Sequence, residues 1–107
     1  MLKIAIIVLP DEQRWSLQGQ LVGEWAAELM SAWEKSHHTR GRRKMIVDLI
    51  EVTSIDRNGE AALAQMMSQG VEFISGDVYI EHLLRKLRRE LKRSRVKSEQ
   101  DGGGTQS

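Results

Sequence analysis

Hydrophobic and polar positions follow two different periods along the chain, and the changes of period predict its elements. The apolar run 3–9 has no helical period and predicts a buried strand. Residues 14–18 alternate polar and apolar, which indicates a half-buried strand hairpinned to the first. From Val22 to Trp33 apolar residues recur at spacings of three and four and predict a helix. The polar, basic segment 36–43 is expected to be a surface connection.

The second half of the chain repeats the strand and helix patterns. The nearly continuous apolar segment 45–50 predicts a central strand covered on both faces. Asp56 is expected to cap a second helix, and Gly70 to end it. Residues 71–75 predict a short strand, and the apolar stripe within 80–91 predicts a third helix.

The element order is therefore β-β-α-β-α-β-α, which predicts a single α/β domain with a mixed, mostly parallel sheet of about four strands and helices packed on it. A chain of 107 residues suits one hydrophobic core. We expect this domain to cover residues 1–97, including a basic C-terminal helix. The polar, glycine-rich segment 98–107 is expected to be a disordered tail.

Composition narrows the environment in which the chain works. The absence of cysteine excludes disulfides, thiolate metal sites and cysteine nucleophiles, and it fits a reducing compartment. The first apolar run is too short for a signal peptide or a membrane span. We therefore expect a cytoplasmic protein.

The charges are distributed asymmetrically. Residues 1–78 carry 8 Lys and Arg against 11 Asp and Glu, whereas residues 79–107 carry 8 against 4. The basic surface candidates are Arg85, Lys86, Arg88, Arg89, Lys92 and Arg93. Such an amphipathic helix is suited to peripheral contact with an anionic membrane or with nucleic-acid phosphates, or it is a solvated outer face. The segment has no stacking aromatic and no base-reading motif, so specific nucleic-acid binding is not expected.

Catalytic and metal-binding patterns are missing from the sequence. No serine has a nucleophile-elbow setting, and the Gly-rich loop of a nucleotide-binding site is absent. His37 and His38 are adjacent rather than spaced as a ligand pair on a helix. Asp48 and Asp56 could meet at the strand ends as paired carboxylates, but no further group completes a catalytic set. We expect no enzyme activity, no metal and no cofactor.

The segment 47–59 resembles the STAS domain, the module shared by sulphate transporters and bacterial anti-sigma-factor antagonists. The resemblance rests on a strand ending in Asp48-Leu49, a short connection and a helix start of the form Asp56-x-x-Gly59. Gly19-Gln20-Leu21 before the first helix and 70–73 after the second resemble neighbouring parts of the family pattern. Together these motifs cover roughly residues 14–91.

The resemblance implies a regulatory protein-binding module, with a kinase-like anti-sigma factor or a transporter assembly as partner. Antagonists of this family carry a phosphorylated Ser or Thr between that Asp and that Gly, where this chain has Arg57 and Asn58. Because neither accepts phosphate and Asn58 is neutral, we expect a module fixed in an unphosphorylated-like state. The predicted partner-binding residues are Thr53, Ser54, Asp56, Arg57, Asn58, Gly59 and Met66.

The chain departs from the family pattern after the third helix. STAS domains usually continue there into another strand and helix, whereas this sequence runs on as a basic segment. A missing strand would leave a sheet edge open, and an open edge can pair with a second copy of the chain. A homodimer is therefore one expectation.

Overall fold

A computed structural model describes the backbone of residues 1–36 and 41–106, with the side chains of these residues up to Arg93. The predicted order β-β-α-β-α-β-α is confirmed. The elements are β1 Leu2–Val8, β2 Glu12–Leu21, α1 Gly23–Lys35, β3 Lys44–Ile55, α2 Arg57–Ser68, β4 Glu72–Ile74 and α3 Val78–Gln106. His37 and His38 lie outside the described residues.

The four strands form one mixed sheet in the order β1-β2-β3-β4. β1 and β2 are an antiparallel hairpin, while β2 pairs with β3 and β3 with β4 in parallel. The mixed, mostly parallel sheet is thus as expected. The parallel pairs are connected through helices, as parallel strands require. Within residues 1–36 and 41–106, no strand follows α3.

The central strand β3 is longer than its apolar run predicts. The pattern ends the strand at Ile50, but β3 continues to Ile55 because the long strand β2 pairs along its whole length, up to Leu21 beside Ile55. The expectation that the strand is covered on both faces was wrong for Ile50, whose side chain is 53% exposed. Thr53 and Ser54 consequently lie in the strand and not in a connection.

One hydrophobic core lies between the sheet and the three helices. Trp15 and Trp33 meet at its centre edge to face, with ring centroids 5.3 Å apart. Their indole N–H groups donate to Gln13 Oε1 at 2.8 Å and to Gln69 Oε1 at 2.9 Å, so both buried donors have acceptors. Trp25, predicted on the same helix stripe, is only half-buried.

The third helix packs through the predicted stripe. Its buried side chains are Ile80, Leu83, Leu84 and Leu87, and Leu91 is half-buried. The helix extends to Gln106 and so includes most of the segment 98–107, although three consecutive glycines each disfavour a helix by about 1 kcal/mol relative to Ala. The disorder of that tail stays a prediction.

Candidate functional site

The Asp56 carboxylate joins the starts of two helices. Its Oδ1 accepts a hydrogen bond from the Gly59 N–H at 2.9 Å and so caps α2. Its Oδ2 accepts from the Gly23 N–H, also at 2.9 Å, at the first residue of α1. The predicted cap of α2 is confirmed. The bond to Gly23 was not predicted, since Asp56 and Gly23 are 33 residues apart in the sequence.

The strand end before α1 closes this junction. The Asp56 N–H donates to the Leu21 carbonyl oxygen at 3.3 Å. The same oxygen lies against the Cα of Gly59, where a methyl group would overlap it. Gly59 is buried, and only a residue without a side chain lets α2 approach the β2 end this closely. The α1 start and the α2 start are therefore held as one unit.

Backbone N–H donors favour the ionised form of the Asp56 carboxyl group. The Gly59 N–H, and after it the Gly23 N–H, hold the pKa of the Asp56 carboxyl below its ordinary value, against partial desolvation that raises it. The carboxylate is therefore charged at neutral pH. Its negative charge offsets the positive end of the α2 dipole, so the helix start is ill-suited to hold a phosphate.

The predicted partner-binding residues separate into surface and core. Arg57 and Asn58 are exposed in the first turn of α2. Thr53 is exposed at the neighbouring end of β3, where its hydroxyl donates to the Gly19 carbonyl at 3.2 Å, and Ser54 is half-buried. Met66 has no exposed surface and belongs to the core rather than to a contact surface.

A shallow groove of about 350 Å³ begins beside Asn58 and runs between α1 and α2. Its walls are mainly short side chains, and its lining residues are Gly23, Ala26, Ala27, Met30, Asn58, Ala61, Ala62 and Gln65. Ala27 and Ala61 are exposed, whereas Ala26 and Ala62 are buried. Of the lining residues, only Asn58 was predicted from the sequence as a partner-binding residue; the alanines on the two facing helices were the available signal for the rest.

The carboxylates considered as a catalytic pair do not meet. Asp48 lies in the interior of β3, and its Oδ1 accepts from the Ile50 N–H at 2.9 Å. Asp56 follows the end of the same strand, so at about 3.3 Å per residue the two backbones are roughly 26 Å apart. In the described part of the chain, no cluster of three His, Cys, Asp or Glu could hold a metal.

The basic candidates on α3 are solvent-facing. Arg85, Lys86, Arg88, Arg89, Lys92 and Arg93 are all exposed. Lys86 forms an ion pair with Glu60 of α2 at 3.7 Å. None of the helices is both long and apolar enough to cross a membrane, as far as the described residues show.

Comparison with known proteins bears on the fold. No family model matches the chain, and no curated protein matches it. One similar solved structure is "Crystal Structure Analysis of Mglu", which is 22% identical with a TM-score of 0.54. The match covers 68% of this chain and 19% of that chain. The similarity shows a shared fold, and the chain corresponds to about a fifth of that protein's length.

Proposed function

We propose that this chain is a non-catalytic regulatory module of STAS type, working in the cytoplasm, that binds another protein through the start of α2 and the adjoining groove. The observation that carries the proposal is the junction at Asp56. It holds the starts of α1 and α2 together while leaving Arg57 and Asn58 exposed, and Asn58 lines the groove.

The chemistry of this surface favours a protein partner over a small anion. The Asp56 carboxylate already occupies the cap position, and the groove walls are short and mostly apolar. A shallow groove with exposed polar residues at one end suits a partner side chain or helix face, which gains from pre-organised contacts. The resemblance to STAS domains implies a kinase-like anti-sigma factor or a transporter assembly as the kind of partner.

The role of Asn58 in this proposal is to present a neutral polar group where a phosphorylatable residue stands in antagonists of that family. The module would then be permanently competent to bind. Replacing Asn58 with Asp adds a negative charge in the first turn of α2, where the helix dipole tolerates it. The variant should therefore fold normally and still lose its partner.

The test is quantitative binding to purified candidates, first found by capture from lysate of the source organism. We expect Asn58→Asp to weaken binding at least tenfold, while Gln18→Glu, which adds a similar charge at an exposed position of β2, leaves it unchanged. Equal affinities of Asn58→Asp and wild type would refute this site. Phosphorylation of Thr53 or Ser54 in the cell with loss of binding would refute the unphosphorylated-like state.

The exposed cations of α3 support a second candidate, peripheral docking on an anionic membrane or on nucleic acid. That binding would weaken steeply with salt and would be lost when the chain is truncated after Glu90. Binding that survives the truncation and is lost with Asn58→Asp favours the first proposal. The reverse pattern favours the second.

A further inference from the structure

The free edge of the sheet carries the largest run of exposed apolar residues in the described part of the chain. β1 is an edge strand, and its second half and the residue that follows are exposed by 47% at Ile6, 51% at Ile7, 53% at Val8 and 43% at Leu9. Leu2 and Ile4 at the other end of β1 pack against the core. Lys3 and Ala5 are also exposed, but the large exposed apolar side chains of β1 are confined to its second half.

The hairpin register shows which backbone groups this edge offers. In an antiparallel pair, alternate residues exchange hydrogen bonds with the partner strand. The Leu9 N–H donates to Glu12 O at 2.8 Å, and the Gln20 N–H donates to Met1 O at 2.9 Å. Odd-numbered residues of β1 therefore bond to β2. The even-numbered residues Leu2, Ile4, Ile6 and Val8 direct their N–H and C=O groups away from the sheet.

The β1 edge has few of the features that prevent strand pairing. It contains no proline, its pairing with β2 has no bulge, and its one charged residue is Lys3 near the beginning. Natural sheets usually protect an edge with charges, prolines, bulges or a covering element. The opposite edge, β4, has only three residues and carries the Lys44 to Glu72 ion pair at 3.1 Å beside it. Open-edge pairing therefore belongs at β1.

We propose that β1 pairs antiparallel with β1 of a second copy about a two-fold axis at Ile7. This register sets Ile6 opposite Val8 of the second copy, so residues with outward-facing amides bond to each other. The exposed half of one strand then covers the exposed half of the other. This dimer goes beyond the proposed partner site and does not depend on it.

The exposed apolar residues select the register. With the axis at Ile7, Ile6 lies opposite Val8 of the second copy and Ile7 lies opposite Ile7, so exposed apolar side chains face one another. An axis at Ala5 would satisfy the same kind of hydrogen bonds, but it would set Lys3 against the apolar Ile7.

The geometry of the dimer has a consequence for binding. A two-fold axis perpendicular to the sheet joins the two sheets into one of eight strands and places both helix layers on the same face. Both grooves between α1 and α2 are then on one side of the assembly. A dimeric or surface-arrayed partner could engage both, which raises the apparent affinity.

Cross-linking tests the register directly. The chain has no cysteine, so a single introduced thiol reports only on its own neighbourhood. Facing non-hydrogen-bonded residues have Cα atoms about 4.5 Å apart, within the range of a disulfide. We expect Ile7→Cys to form a disulfide-linked dimer under mild oxidation, and the equally exposed Ile50→Cys to remain monomeric on a non-reducing gel. More efficient cross-linking of Ala5→Cys than of Ile7→Cys would overturn the register.

Mass measurement tests the dimer itself. Light scattering over a dilution series from millimolar to micromolar measures the mass of the particle. At the high concentrations the mass of the wild-type protein should approach twice the 12.2 kDa of one chain. Ile7→Lys, which places two ammonium groups at the axis, should shift dissociation to at least tenfold higher concentration, whereas Ile50→Lys should not. A wild-type mass that stays monomeric throughout, or a dimer that Ile7→Lys does not weaken, would overturn the proposal. Neither outcome bears on the Asn58 test.

Discussion

Gly59→Ala probes the contact that holds α2 against the end of β2. The added methyl group would overlap the Leu21 carbonyl oxygen and lie 2.9 Å from Ile55 Cγ2 and 3.1 Å from Leu21 Cγ. A carbonyl oxygen of the backbone cannot turn away as the end of a long side chain can. The helix start must therefore move outward, which strains the Asp56 bonds on both sides of the junction.

The size of the effect follows from two opposing contributions. Overpacking of a buried site costs about 1–3 kcal/mol, and the upper end applies here because backbone is in the way. Replacing Gly by Ala inside a helix stabilises the helix by about 1 kcal/mol, which offsets part of that cost. We expect a net loss of about 2 kcal/mol in the free energy of unfolding. For a domain of this size that lowers the melting temperature by roughly 10 °C.

Urea unfolding followed by tryptophan fluorescence measures this loss, since Trp15 and Trp33 are both buried. The midpoint should fall with little change in the dependence on denaturant. Gly76→Ala is the matched control, because a methyl group there would lie 3.6 Å from the Ile50 side chain, an ordinary contact. If the two variants unfold at the same urea concentration, α2 is not held as closely as described and the account of the junction is refuted.

Two further predictions concern polar groups. Asp56→Asn should destabilise the fold at neutral pH because an amide has one acceptor oxygen for two N–H donors. Since the pKa of Asp56 is lowered in the folded protein, the stability that its carboxylate contributes is full above the ordinary carboxyl pKa of about 4 and is lost as the pH falls through the folded pKa. The urea midpoints of variant and wild type should therefore converge in acid. Gln13→Ala should cost about 1–3 kcal/mol by leaving the buried Trp15 N–H without its acceptor, while Gln18→Ala at an exposed position of β2 should leave the urea midpoint nearly unchanged.

Local patterns determined the elements of this protein. The change from a period of two to a period of three and four separated β2 from α1, and the leucine stripe of α3 was readable because each helical turn returns a residue to the same face. The Asp56 cap was predictable for the same reason, since the residue and the amide it binds are three positions apart.

The tertiary structure decided what local patterns cannot contain. Whether Met66 faces a partner or the core depends on where α3 and the sheet lie. The spacing of apolar residues along the helix is the same in both cases. The bond from Gly23 to Asp56, the length of β3 and the exposed half of β1 all arise from residues distant in sequence. Sequence periodicity specifies which side chains share a face of one element, but only the packing of elements against one another specifies what each face meets.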